Sequence, residues 1–323
     1  MQSKISLVVA ASVFSGVAHA QTATDSYPAK PVRVVVGLAP GGGTDIQARL
    51  FAQKLTENLG RSFVVDNRTG AGGTVSYAFV AKAPADGYTL LAVASGYSIT
   101  PAVYSKLTYD PIKDFAPISL VAEAPFVLLT HPSLPVKTVK DLLALTRAKP
   151  GALDFASAGY GSSTHMALAM FTTLAGVKVT HVPYKGTGPA LTESVAGQVH
   201  GLFANILSGL PHAKAGRLRV LAVSGAKRSA VLPELPTIIE GGVPGYDTAT
   251  WHGWLAPAGT PAPIINKLYT ELTRAARAPD VAERLATDGG EALGGSPERF
   301  AQHIATEIAR WRKVVQVAGI KVE

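Results

Sequence analysis

The chain has 323 residues, 47% of them hydrophobic, and a formal net charge of +8. It contains no cysteine, which excludes disulfides, a thiol nucleophile and the acylated cysteine of a bacterial lipoprotein. Its Lys and Arg residues are scattered along the chain, without long basic runs, which argues against nucleic acid as a partner.

The first twenty residues, MQSKISLVVAASVFSGVAHA, read as a secretory signal peptide. Lys4 opens it, an apolar run spans Ile5–Val17, and Ala18-His19-Ala20 is a small-x-small cleavage site. The run is well short of the ~20 residues a membrane span needs. The sequence thus predicts an exported, periplasmic chain cleaved after Ala20 and held by its core rather than by disulfides. A chain of this size can bury about 75% of its unfolded surface.

After the leader, strand-like and helix-like segments alternate. Val32–Leu38 is a β-branched run. Asp45–Leu59 carries Ile46, Leu50, Phe51 and Leu55 on one helical face. Ser62–Asp66 reads as a strand, Gly73–Lys82 as a helix and Tyr88–Ala94 as a strand. A helix is predicted over Thr138–Lys149, opened by Thr138 with Asp141 three residues on. Leu153–Ser157, Lys178–Pro183, Gly201–Asn205 and Leu218–Ser224 read as strands, with helices over Ser163–Ala175 and Pro189–Ala196 between them. Amphipathic helices are expected over Pro261–Ala278 and Pro297–Val317. Repeated βαβ units imply an α/β fold with mainly parallel sheets.

Two segments read as crossings between domains: Ala116–His131, an apolar stretch too long for one ordinary strand, and Thr250–Thr260. They divide the chain into one lobe of residues 28–124 plus 252–323 and a second of residues 125–251.

Three Gly-rich loops each follow a predicted strand and open a predicted helix: LAPGGGTD (Leu38–Asp45), RTGAGGT (Arg68–Thr74) and SAGYGSSTH (Ser157–His165). The first four N–H groups of a helix lack internal partners, and the helix dipole adds partial positive charge there. Such loops can therefore hold an anion with main chain alone. No Gly-Lys pair exists, so there is no Walker loop, and neither GYGSST nor GGGTDI satisfies G-x-G-x-x-G. A carboxylate remains as the anion.

The residues also resemble the tripartite tricarboxylate transporter substrate-binding proteins, or Bug family of extracytoplasmic solute receptors. The matching phrases include YPAKPVRVVVGLAPGGGTD, VDNRTGAGG, APADGYTLL, LTYDPIKDFAPI, FASAGYGSSTH, HVPYKG and WHGWLAPAGTP. The resemblance implies a fold of the periplasmic-binding-protein type II kind, two α/β lobes joined by two crossing segments with a ligand cleft between. It implies a receptor, not an enzyme, that delivers a small carboxylate to membrane transporter subunits and acts as a monomer. Di- and tricarboxylates, amino acids and aromatic acids remain open as ligands, and no cofactor or metal is implied.

The matching positions are Gly42, Gly43, Thr44 and Asp45 in the first loop, and Ser157, Gly159, Gly161, Ser162 and Ser163 in the third. His165, Tyr184 and Lys185 would lie nearby, and Ser95 and Asn205 would line the far end. Asp45 reads as a helix cap ahead of a direct ligand contact. Many relatives carry acids where this chain has His200 and Ala204, which leaves the shape of the far end open. An exported serine hydrolase is the rival reading. Ser224-Gly225-Ala226-Lys227 matches S-x-x-K, but S-D-N, K-T-G and G-x-S-x-G are all missing. A ligand-presenting partner of a membrane sensor would share the same pattern.

Overall fold

Alternate residues of the first strand settle where the helices must go. In β1 (Val32–Val36), Val32, Val34 and Val36 enter one core cluster and Val35 enters another. Both faces of the strand are covered, as befits a continuous apolar run in a parallel sheet. The computed structural model describes residues 26–229, 232–287, 289–318 and 320. The leader expected over residues 1–20 lies outside these described residues.

The first part of the chain forms β1, α1 (Gly43–Leu59), β2 (Phe63–Asn67), α2 (Thr74–Ala81), β3 (Thr89–Ala94) and α3 (Gly96–Val103). β1 pairs in parallel with β2 and β3. The long strand β4 (Phe115–Thr130) follows. Then come α4 (Val139–Ala148), β5 (Asp154–Ser157), α5 (Ser163–Ala175), β6 (Thr180–Pro183), α6 (Thr187–Val195), β7 (Gly201–Asn205), α7 (Ile206–Lys214) and β8 (Arg219–Val223). β5 pairs in parallel with β6 and β7. The chain returns through β9 (Ala249–Pro257) and ends with α8 (Ala262–Ala276), α9 (Pro279–Thr287), β10 (Glu291–Gly295) and α10 (Pro297–Ala318).

The strands run in the order β2-β1-β3-β9-β4-β7-β5-β6, with β8 and β10 also paired to β4. Two parallel triads thus flank a central pair. Each antiparallel pairing among the described residues involves β4 or β9. β4 serves both halves: Phe115 to Pro125 lie beside β9, and Phe126 to Thr130 lie between β7 and β8. The partner change falls at Pro125, a residue with no N–H to give a ladder.

Each half has its own core on both faces of its sheet, which makes two lobes. In the first, Phe51 and Leu55 of α1 and Leu268 and Leu272 of α8 cover one face, while Tyr77 and Val80 of α2 and Phe300 of α10 cover the other. In the second, Phe155, Phe171, Phe203 and Tyr246 form one core, and Leu191, Leu202, Ile206 and Leu210 form the opposite one. Thr138 caps α4 in a reciprocal box: its side chain accepts from the Asp141 N–H, and the Asp141 carboxylate accepts from the Thr138 N–H.

Candidate functional site

The carboxyl end of β1 leads into α1 through Gly41-Gly42, and Gly42 is the N-cap with no side chain to satisfy the first N–H groups. Asp45 sits in the first turn with its carboxylate turned back into the loop. It accepts from the Gly41 N–H at 3.0 Å, from Arg49 Nε at 3.0 Å and from Asn67 Nδ2 at 3.0 Å. Burial opposes its ionisation, but the hydrogen bonds from Arg49, Gly41 and Asn67 outweigh that and hold the carboxyl below its ordinary value. Asp45 is therefore engaged in fixing the loop.

The third loop is fastened by its own side chains. Ser162, the N-cap of α5, accepts from the His165 N–H at 3.3 Å and donates to the Gly159 carbonyl at 2.6 Å. Thr164 Oγ1 accepts from the Ala158 N–H at 2.8 Å, and Ser157 Oγ from the Gly159 N–H at 3.1 Å. His165 is buried, and its Nδ1 accepts from the Gly161 N–H at 3.2 Å. Its ring stacks on His181 with centroids 4.0 Å apart and planes 11° apart. Burial, then the neighbouring His181, lowers the His165 pKa to about 3, and burial lowers that of His181 to about 4. Both imidazoles are uncharged at neutral pH. His181 Nε2 lies 2.6 Å from Ser157 Oγ, so it braces the loop from behind.

These loops meet across the two lobes. A Cβ on Gly43 would overlap the carboxamide of Asn205, so only glycine allows that approach. A Cβ on Gly42 would come within 3.6 Å of Thr187 Cβ at the start of α6. Gly96, at the start of α3, faces the Ser163 N–H, with 3.5 Å between its would-be Cβ and that nitrogen. The N-termini of α1 and α3 from one lobe thus face those of α5, α6 and α7 from the other. Thr44, Tyr77, Gly96, Ser162 and Ser163 line an internal space of about 10 Å³, the room of a single water molecule. Every residue lining it is uncharged.

Of the expected residues, Gly42, Gly43, Thr44, Ser162 and Ser163 lie at this interlobe face, with Asp45 behind them. Ser95 and Asn205 are buried at its floor. Ser95 Oγ lies 3.4 Å from Thr250 Oγ1, and Asn205 Nδ2 lies 3.5 Å from His252 Nε2. Ser157, Gly159, Gly161 and His165 shape the third loop. Tyr184 is attached to it through its N–H, which donates to the Ser157 carbonyl at 3.0 Å. The Lys185 side chain is exposed.

His200 lies at the opposite end of β7 from Asn205. Its Nδ1 accepts from the Asp154 N–H at 2.9 Å, so it does not shape the cleft. Ala204 is buried in a core of the second lobe.

Sequence reasoning missed His181, His252, Thr250 and Thr187. His252 was legible in part: it stands between Trp251 and Trp254, which enter cores on opposite faces of the first lobe's sheet. Among the described residues, no group of three or more His, Asp or Glu could hold a metal ion.

Two α/β lobes, linked by shared strands and meeting through helix N-termini across a space lined by uncharged residues, define a solute-binding protein of the periplasmic type. Residues 47–320 match the family described as tripartite tricarboxylate transporter family receptor. The chain belongs to that family, whose members are solute receptors rather than enzymes. It is 36% identical over 310 residues to Protein BugT of Bordetella pertussis, covering 94% of each chain. Among solved structures it resembles R. palustris Rpa4515 with adipate: 41% identity, TM-score 0.89, covering 92% of this chain and 100% of that one. MatC (Rpa3494) from Rhodopseudomonas palustris with bound malate is 36% identical, with a TM-score of 0.86, covering 90% of this chain and 100% of that one.

Proposed function

We propose that this protein captures a small carboxylate between its lobes in the periplasm and delivers it to membrane subunits of a tripartite tricarboxylate-type transporter. In this reading the lobes comprise residues 28–124 plus 252–323 and 125–251, and export follows removal of residues 1–20. The observation that carries it is the apposition of two helix N-termini from different lobes, Gly43-Thr44 of α1 and Ser162-Ser163 of α5, across a space lined by uncharged residues, with the Asp45 carboxylate turned back into its own loop. Such ends favour an anion. A ligand bridging them stabilises closure by its higher affinity for the closed state. The adipate and malate seen in related structures support a dicarboxylate as cargo.

The engagement of Asp45 narrows the class. An amino acid would bring an ammonium group, and the Asp45 carboxylate beside this face is already held by Arg49, Asn67 and Gly41. Carboxylates without an amine fit better. Calorimetric titration of the ligand-stripped mature chain with adipate, malate and glutamate tests this. Binding of adipate or malate, with glutamate at least tenfold weaker, is expected. No binding of any of the three, by a folded and ligand-free protein, would refute it.

A further inference from the structure

The last helix, α10, is 22 residues long, about 33 Å at 1.5 Å per residue. Its first half belongs to the first lobe. Phe300, Ile304 and Ile308, spaced by four, enter the core that holds Tyr97 and Trp251. The Phe300 ring meets Trp251 edge-on at 5.5 Å, in space left open by Gly253.

Its later turns reach the other lobe. Trp311 and Val315 form a separate buried cluster with Ile99 and Val103 of α3 and Met166 of α5. Trp311 is 2% exposed, and its Nε1 donates to Glu307 Oε2 at 3.0 Å, which fixes the ring. Arg310 Nη2 donates to the Asp247 carbonyl at 2.7 Å. Asp247 directly follows Tyr246, whose ring lies in the second lobe's core. One helix is thus rooted in one lobe and rests on the other. The helices it touches, α3 and α5, are the two whose N-termini face each other at Gly96 and Ser163.

We propose that Trp311 and Arg310 are closure-setting residues: they hold α3 against α5 from behind and thereby set ligand affinity without touching ligand. The inference rests on the receptor reading above. The physical link is population. Apparent affinity scales with the fraction of protein in the binding-competent form, so loss of a contact made only in the closed form weakens binding by the same factor.

The test compares wild type with Trp311→Ala, Trp311→Phe and Arg310→Ala. Three readouts are taken: adipate affinity by calorimetry, radius of gyration of the unliganded chain by X-ray scattering, and thermal unfolding. Trp311→Ala is expected to weaken adipate binding about tenfold and to expand the unliganded chain. Trp311→Phe should recover most of both, and Arg310→Ala should shift both the same way by less. If Trp311→Ala does not fold, Val315→Ala makes a smaller deletion in the same cluster and should show the same two changes.

A fall in melting temperature with affinity and radius unchanged would overturn the proposal, leaving Trp311 as ordinary core. Tighter binding would also overturn it, because the contact would then oppose closure. Should wild type bind no carboxylate, the receptor reading fails by itself, and the unliganded radius still decides the role of Trp311.

Discussion

Gly43 of α1 and Asn205, the last residue of β7, stand face to face across the two lobes, so close that a Cβ on Gly43 would occupy the position of the Asn205 carboxamide. Neither residue caps the other's helix: no side chain caps α1, and the Asn205 side chain leaves its own helix uncapped. Gly43 is therefore a clearance, and its consequence is steric.

Gly43→Ala should hold the lobes apart. Overpacking costs about 1–3 kcal/mol, so carboxylate affinity should fall roughly tenfold or more, and the unliganded chain should expand in X-ray scattering. Removing the opposing amide should relieve the clash, so the Gly43→Ala/Asn205→Ala pair should close better than Gly43→Ala alone. A Gly43→Ala protein that binds like wild type would show that this contact does not govern closure.

Ser162→Ala removes both the cap of α5 and the bond to the Gly159 carbonyl. Loss of the cap should lower stability by about 1 kcal/mol. Binding should weaken by about 1–3 kcal/mol if the ligand carboxylate depends on this loop. Chemical denaturation reads the first effect and calorimetry the second. A stability loss with unchanged binding would restrict Ser162 to its structural bond.

Acid should destabilise the fold through its buried imidazoles. His165, His181 and His252 have pKa values lowered by burial to about 3, about 4 and about 4. The unfolded chain takes up these protons near pH 6.5, whereas the folded chain resists them. Stability is thus fully present above pH 6.5 and is lost as pH falls toward 4, by about 1.4 kcal/mol per pH unit for each such histidine. His181→Gln should flatten the melting temperature measured between pH 6.5 and 4. An unchanged slope would mean that His181 is protonated in the native state.

Asp45 acts lower on the pH scale with the same sign. Its folded pKa is depressed by its hydrogen bonds, so it contributes stability above the unfolded value near 3.9 and loses it as pH falls through the folded value. Asp45→Asn should be less stable at neutral pH, and the difference from wild type should shrink below pH 4. An equal difference at pH 7 and pH 3 would assign the loss to packing rather than to charge.

Local signals carried much of this architecture. The Ser163–Ala175 and Gly201–Asn205 segments fold with the boundaries that their patterns suggest; the first is closed by the Ser162 cap at its start and Gly176 at its end. The loops at Gly42 and Ser162 were legible as helix-opening turns because strand, glycine and helix follow in order. By contrast, α3 and α7 left little trace. Each is eight or nine residues long with a proline inside, Pro101 and Pro211, and α7 starts directly at the end of β7 without a Gly-rich loop. Their N-termini nonetheless supply Gly96 and Asn205 to the site. Nor does any local pattern tell that His200 lies at the remote end of its strand, or that Gly43 opposes a residue of the other lobe. Those are facts of tertiary distance.

The shared strands also impose a schedule on assembly. β3 needs β9 as its neighbour, and Ser95 and Thr250, which meet at the cleft floor, are 155 residues apart in the chain. Strands β5 to β8, in contrast, find their partners within one continuous stretch that includes the end of β4. In a chain emerging N-terminus first, the middle lobe can finish while the first still shows a bare sheet edge. That edge is a template for strand addition by other chains. The last lobe to be completed is thus the one begun first, and its waiting interval is where aggregation would begin.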